Sequence, residues 1–489
     1  MRWSAMCLLS CLPSAAWAIP TPLPYPILPP VLPGISVGLT PYTTIPPEAG
    51  RTSAPLAQIQ YATPARDGTG ALFVNDLKGI IYRTTPGSSP APWLDITTAL
   101  GAGAAATPGL THGLQALAFH PNYAGDPSQP GYGKFYTSAN GPAGSATIGS
   151  NDPGKLQAVV TEWTTNPKAA TYTPVAPPRT VIQIGGYSDE HSNGLIAFNP
   201  TAAPGTPDYG RLYIGSGDGN YNDADRNAQN LGVPQGKMLR INPLQAGASP
   251  YSVPADNPFL KTKGALPEIW ATGLRYPQSF SWDLGTGAMY INDLGQAEIE
   301  EVNRGIAGAN YGWSQREGTF ATGYAYGLSS DNELLYPVTP DALPGGPYTD
   351  PLAMLEHLDG ALFALGSGFV YRGQSIPALQ GKYVLEDIVS GAAYYFDPQA
   401  GDQAQMYSLD LTINGATISL NDQFGYGSNP FRRVDARVSQ DEGGELYIGL
   451  KSTGEIFQLR AAAVPEPASL ILLGSAAALG LATRRRAAR

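Results

Sequence analysis

The stretch Gly194-Leu-Ile-Ala-Phe-Asn-Pro200, followed by Arg211-Leu-Tyr-Ile-Gly-Ser-Gly-Asp218-Gly219, sets two short apolar runs on either side of a turn rich in Pro, Gly and Asp. Runs of this length and composition, bounded by turn formers, predict a pair of antiparallel strands. The unit recurs at 71–76 with 79–83, 114–121 with 134–138, 278–283 with 288–293, 381–387 with 392–396, and 436–441 with 445–450 and 454–459. With 58 glycines, 46 prolines and no 3.6-residue apolar period outside the termini, the chain does not read as helical. A sandwich would need fewer strands, so a hairpin unit repeated over most of the chain predicts radial repetition, an all-β propeller. Loop lengths vary too much for spacing to fix the number of blades.

Working outward, residues 19–52 are dense in proline and lack an apolar period. They read as an extended leader that packs late or not at all, with the propeller body at 53–460. Residues 1–18 combine Arg2, an apolar run and the small-residue exit Ala16-Trp17-Ala18, which predicts a signal peptide cleaved after Ala18. Leu8-Leu-Ser-Cys11 faintly resembles a lipoprotein cleavage site, but the apolar stretch before it is too short. Cys7 and Cys11, the two cysteines, leave with the signal, so the mature chain has no disulfide and must rely on a large core.

At the other end, Val464-Pro-Glu-Pro467 precedes the apolar run 468–483 and the cluster Arg484-Arg485-Arg486. This run is shorter than the ~20 residues of a stable spanning helix, and the arginines follow the positive-inside bias. The order of elements resembles a PEP-CTERM sorting tail over 464–489, which implies a short transmembrane sorting helix, a transient membrane anchor and a membrane-embedded sorting protease as partner. A permanent C-terminal anchor is the alternative. The implied location is the surface or extracellular matrix of a Gram-negative bacterium, reached through the inner membrane and periplasm. The full chain has 29 basic and 39 acidic residues; without Arg2, the four tail arginines and Glu466 the counts are 24 and 38, a net charge near −14. Nucleic acid and anionic membrane are poor partners for such a body, and surface solvation explains most of the acidic surplus.

Only four histidines occur. His191 lies in a polar, Gly-rich setting just before one strand, and Asp218 just after the next, where a propeller brings both to its central face. An imidazole that titrates near neutral pH, oriented by a carboxylate, suits proton abstraction. A histidine merely satisfied by its turn is the plainer reading.

Gly113-Leu-Gln-Ala-Leu-Ala-Phe-His-Pro121, the run around His191 and Asp218, Gly236-Lys-Met-Leu-Arg-Ile-Asn242, Gly273-Leu-Arg-Tyr-Pro-Gln-Ser-Phe280, Asp293-Leu-Gly-Gln-Ala-Glu-Ile-Glu-Glu-Val-Asn303 and Asn310-Tyr-Gly-Trp313 appear in one order. As an ordered set spanning about 55–460 they resemble the glucose/sorbosone dehydrogenase family, soluble six-bladed β-propellers that use pyrroloquinoline quinone (PQQ). The resemblance implies a secreted PQQ-dependent dehydrogenase that oxidises a sugar or polyol. In it His191 is the general base, Asp218 its orienter, and Arg275 the cation that contacts the quinone; Gly295 and Gln296 hold Ca²⁺ through their carbonyls, and Arg433 and Tyr276 take part in cofactor binding. Glu300 and Glu301 belong to the same stretch and read equally as loop hydrogen-bonding groups. His120 reads as structural, and Tyr311 and Trp313 as core.

The chain departs from the family pattern in three places. Tyr276 replaces an asparagine, Val389 stands where a cofactor-gripping lysine is expected, and of two arginines near the end Arg433 matches one while the other falls on or near Asp435. PQQ is a tricarboxylate, so losing charge-assisted bonds worth about 1.5–3 kcal/mol each weakens it. Arg275, Lys237 or Arg432 are the substitutes on offer. A second hypothesis is therefore a non-catalytic, surface-displayed propeller that binds polysaccharide or protein. No dinucleotide loop, Gly-x-Ser-x-Gly elbow or zinc helix is present, and Asp223 with Asp225 forms only a fragment of a calcium loop.

Overall fold

The computed structural model describes residues 19–105, 112–141, 144–188, 191–220, 223–296, 298–328, 334–338, 346–357, 364–428 and 432–462. The expected signal peptide, the sorting helix and the 464–489 tail lie outside the described residues, and no described helix is long and apolar enough to cross a membrane.

Strands pair almost wholly as antiparallel meanders. The first is Ile59–Pro64, Leu72–Asp76, Ile80–Thr84 and Ala91–Asp95, and the second Leu114–Phe119, Lys134–Gly141, Leu156–Thr165 and Pro174–Tyr187. The third is Asn193–Phe198, Leu212–Ser216, Lys237–Ile241 and Ile269–Thr272, and the fourth Ser279–Trp282, Met289–Asp293, Ile299–Arg304 and Ala353–Glu356. A nine-stranded sheet contains the fifth, Leu365–Val370, Tyr383–Asp387, Ala393–Phe396 and Tyr407–Ile413, and the sixth, Ala436–Gln440, Leu446–Leu450 and Glu455–Ala461. The first strand of each meander touches the first strand of the next, and the ring closes from Ala436–Gln440 onto Ile59–Pro64. This is the propeller arrangement the hairpin repeat predicts. Middle strands such as Leu212–Ser216 are buried at every position because neighbouring meanders cover both faces, which is why they read as continuous apolar runs.

Residues 19–52 differ from the leader expected of them. Leu32–Thr44 is the outer strand of the sixth meander, antiparallel to Glu455–Ala461 and parallel to Tyr407–Ile413, with Val37 fully buried. The register shifts fall beside Pro33 and Pro41, which tolerate the lost N–H at an irregularity. Further upstream, the amides of Ile27 and Leu28 donate to the Glu356 carboxylate at 2.7 and 2.9 Å, and Leu23 packs on Leu335. The segment therefore joins the two ends of the ring.

Because strand direction alternates, every link from second to third strand and every link between meanders lies at one end of the axis. That end gathers His191, the Asp218 loop, Arg275 with Tyr276, residues 294–296, His357, Val389, Arg433 with Asp435, and Lys451.

Candidate active site

His191 has φ of 45°, a left-handed conformation uncommon for a residue with Cβ and frequent at sites where the surrounding fold enforces it. Its carbonyl accepts the Gly219 amide at 3.1 Å, and a Cβ on Gly217 would stand 2.3 Å from that carbonyl and 2.8 Å from the Tyr276 ring. Glycine at 217 is thus what lets the two loops touch. The turn sets His191 Nδ1 2.8 Å from Asp218 Oδ1. Asp218 is fully buried, and its other oxygen accepts the Trp313 indole N–H at 2.9 Å, while the Asn220 amide donates to Oδ1 at 3.2 Å. A carboxylate so placed holds the proton on Nδ1 and leaves the lone pair on Nε2. The imidazole also stacks on Tyr276, with centroids 5.1 Å apart and an interplanar angle of 28°.

Arg275 follows from the same framework. Its amide and that of Tyr276 donate to the two oxygens of Asp293 at 2.9 and 2.7 Å, and its guanidinium lies 5.7 Å from the centre of the Trp313 ring. Burial and the facing Glu301 push the Asp293 carboxyl well up. The guanidinium Nη1 donates to the Gly295 carbonyl at 2.5 Å and to the Leu294 carbonyl at 3.4 Å, and Nε donates to Gln296 Oε1 at 2.9 Å. Glu300 accepts the Gly295 and Leu365 amides at 3.2 and 3.0 Å and pairs with His357 Nε2 at 2.7 Å. Burial lowers His357, but the Glu300 bond and charge, with Glu317, outweigh it and raise its pKa.

Other expectations separate. Lys237 is fully buried, with Nζ donating to the carbonyls of Asn227, Ala228 and Gln235 at 2.8, 3.0 and 2.7 Å, and burial lowers it to about 7. It is a built-in cation of the 218–236 loop. Asp223 accepts the Asn227 and Ala228 amides in that loop, at 2.6 and 3.3 Å. Arg432 donates to the carbonyls of Asn421 and Asp422 at 2.8 and 2.9 Å. Val389 is buried, and Arg433 Nε pairs with the buried Asp435 at 2.8 Å. Tyr311 and Trp313 are buried as expected, but the indole bond to Asp218 gives Trp313 a place in the site that the sequence reading missed. His357 was missed entirely.

Of the two carbonyls that the resemblance assigns to Ca²⁺, that of Gly295 is already engaged. The Gly295 carbonyl and the Gln296 side chain are taken by the Arg275 guanidinium, and among the described residues no three His, Cys, Asp or Glu side chains converge as a metal site. A polycarboxylate quinone fits better. The buried Arg437 leaves its Nε without a partner, and its charge faces Tyr61, Tyr276 and Glu386 from three sides of the axis. Burial, then the charge of Arg437, lower the neighbouring Lys451 to about 7. Arg433 and Lys451 face the buried Asp435 and Arg437 faces the buried Glu386, and the unpartnered Nε of Arg437 is the atom an anionic group would engage.

A cavity of about 410 Å³ opens at the opposite end of the axis and is walled by Tyr61, Phe198, Tyr209, Phe280, Trp282 and Phe369.

Fold and site together define a β-propeller with a histidine–carboxylate pair and a buried arginine on one face. The model of the glucose/sorbosone dehydrogenase family matches residues 181–410, and that of the PEP-CTERM protein-sorting motif matches residues 463–486. It is 29% identical over 325 residues to the HIPL2 protein of Arabidopsis thaliana, covering 58% of this chain and 43% of that protein. It is 27% identical over 397 residues to the Hedgehog-interacting protein of Mus musculus, covering 80% and 48%. The chain thus spans about half the length of the curated relatives it matches. Among solved structures it is similar to the soluble aldose sugar dehydrogenase of Escherichia coli in its apo form, with TM-score 0.57, 19% identity, and coverage of 87% of this chain and 99% of that one. The PQQ-bound aldose sugar dehydrogenase of Streptomyces coelicolor gives TM-score 0.56 at 18% identity, covering 88% and 99%. At these identities the two structures speak for the fold.

Proposed function

We propose that the chain is an exported oxidoreductase, a six-bladed propeller with each meander as a blade, that oxidises a CH–OH group of a sugar or other alcohol. The observation that carries this reading is the His191–Asp218 contact of 2.8 Å behind a buried carboxylate anchored by Trp313. With Nδ1 held, His191 Nε2 takes the hydroxyl proton while the carbon releases hydride and becomes a carbonyl. Asp218 stabilises the imidazolium that forms. The Arg275 guanidinium stabilises negative charge that develops beside it. PQQ, when bound, supplies the two-electron acceptor for the hydride. Arg433, Arg437 and Lys451 would hold its carboxylates, and Tyr276 stacks on the His191 ring. Calcium is not part of the proposal.

The PEP-CTERM motif supports export to the cell surface. The tail then acts as a transient anchor that a sorting protease processes, after a signal peptide has taken the chain through the inner membrane and periplasm.

The Arg433–Asp435 pair and the apolar Val389 favour a second reading, a non-catalytic surface propeller that binds polysaccharide or protein. Titration of the purified chain with PQQ, followed by a dye-linked assay over a panel of sugars, decides between them. Saturable binding with turnover abolished by His191→Ala supports the dehydrogenase; no binding at tens of micromolar quinone supports the binder.

A further inference from the structure

We propose that the cation of the 294–296 loop is the guanidinium of Arg275 itself, and that this site works without a divalent metal. The inference rests on reading that loop as part of the active site, and it concerns what neutralises the loop's oxygens.

Three oxygens of the loop already have the Arg275 guanidinium as their donor. The Gly295 carbonyl and the Gln296 side-chain oxygen accept from Arg275, and the Leu294 carbonyl faces the same guanidinium nitrogen. The nearest carboxylates are turned to other donors as well. Glu317 accepts the amides of Gln296, Glu298 and Ile299 at 2.9, 3.1 and 2.8 Å, so it folds the loop from inside. Glu300 serves Gly295, Leu365 and His357, and Asp293 serves the amides of Arg275 and Tyr276. A Ca²⁺ ion takes six to eight oxygens and tolerates a neighbouring cation poorly, whereas a planar guanidinium offers five donors and matches a set of carbonyls.

The guanidinium is also fixed. Arg275 is 5% exposed, its backbone is pinned by Asp293, its carbonyl accepts the Asp218 amide at 2.7 Å, and its charged face lies over Trp313. The same residue therefore ties the loop to the His191–Asp218 pair. A +1 charge that cannot be chelated stands where a +2 ion would be exchangeable.

Terbium luminescence excited through tryptophan tests this on the full chain, because Trp313 is close enough to sensitise an ion at these carbonyls. The untouched chain is expected to give no saturable emission that Ca²⁺ competes, and no shift in thermal midpoint between excess Ca²⁺ and a chelator. Arg275→Ala vacates the carbonyls and is expected to gain both responses; Arg275→Lys, which keeps a cation, is expected to gain neither and covers the case in which the alanine variant fails to fold. Emission from the untouched chain that Trp313→Phe removes would overturn the proposal. So would an alanine variant that folds yet stays as unresponsive as the parent. Neither readout needs turnover, so an inactive chain would count against the dehydrogenase reading and leave this inference to stand or fall by itself.

Discussion

Replacing Asp218 by asparagine tests the site most sharply, because the two sides of that carboxylate face only donors. Oδ1 receives the His191 Nδ1–H and the Asn220 amide, and Oδ2 receives the Trp313 indole N–H at 2.9 Å. In Asp218→Asn one orientation of the amide keeps its oxygen toward His191 and sets its NH₂ against the indole N–H. The other orientation satisfies the indole, opposes the longer Asn220 contact of 3.2 Å, and donates to Nδ1, which forces the proton onto Nε2. An unsatisfied buried donor costs about 1–3 kcal/mol. The shorter indole contact carries the larger penalty, so the second orientation wins and the base is lost; a wrong imidazole tautomer lowers kcat by about 10⁴-fold. Trp313→Phe keeps a ring under Arg275 but removes the opposing N–H, so in the double variant the first orientation returns. At a tenfold change per ~1.4 kcal/mol, the double variant should be roughly 5- to 150-fold faster than Asp218→Asn alone. The assay is kcat of the quinone-loaded chain with a dye acceptor, alongside ¹⁵N shifts of the His191 ring to read the tautomer. If the two substitutions simply multiply their losses, the indole does not set the orientation of residue 218 and the argument fails.

Arg437→Gln should weaken PQQ binding roughly 10- to 150-fold, the loss of one charge-assisted bond, as read by titration of the quinone absorbance. Gly217→Ala leaves the strands intact but drives Cβ into the His191 carbonyl; a displacement of about 1 Å at the base should cost on the order of 10²-fold in kcat with circular dichroism unchanged. Leu39→Ala, in the strand that closes the ring, should lower stability by about 2–5 kcal/mol in denaturant unfolding; a loss under 0.5 kcal/mol would mean that the N-terminal strand is dispensable. His120 is buried and held neutral, its pKa lowered by burial to about 4 from 6.5. The unfolded chain therefore binds the extra proton between those values, and the contribution of this group, about 3 kcal/mol, is complete above pH 6.5 and lost as the pH falls toward 4. His120→Asn, which keeps an acceptor for the Asn122 amide, should flatten that part of the pH–stability curve.

What the sequence made legible was local. The runs around Gly194 and Arg211 appear as the strands Asn193–Phe198 and Leu212–Ser216, because residues buried on both faces must be apolar wherever the neighbouring blades come from. Leu32–Thr44 was not legible: its prolines interrupt the alternation, and its partners lie some 400 residues away, as in Thr44 opposite Glu455. Pairing at that distance leaves no local trace. The site divides the same way. His191 and Asp218 stand out in Gly-rich turns, whereas His357 meets Glu300 from 57 positions away, and Trp313 meets Asp218 from 95. For Trp313 a usable signal did exist: a tryptophan read as core still needs a partner for its N–H, and asking which one leads to the buried carboxylates of the same face.

Cavity volume and chemistry point to opposite ends of the axis, and protonation decides between them. The large cavity holds one imidazole, His120, whose Nδ1 accepts the Asn122 amide at 3.0 Å, so its proton sits on Nε2. With its pKa lowered to about 4 and its only lone pair engaged, it neither takes nor gives a proton near neutral pH. At the other end His191 has the reverse arrangement, with the carboxylate on Nδ1 and the lone pair on Nε2. Arg275 and Arg437 bring positive charge to that end, while aromatic rings line most of the cavity. A space bounded mainly by rings can hold an apolar ligand, but a reaction that separates a proton from a hydride needs a base and a cation within reach of one carbon. Only the His191 face brings those two together among the described residues.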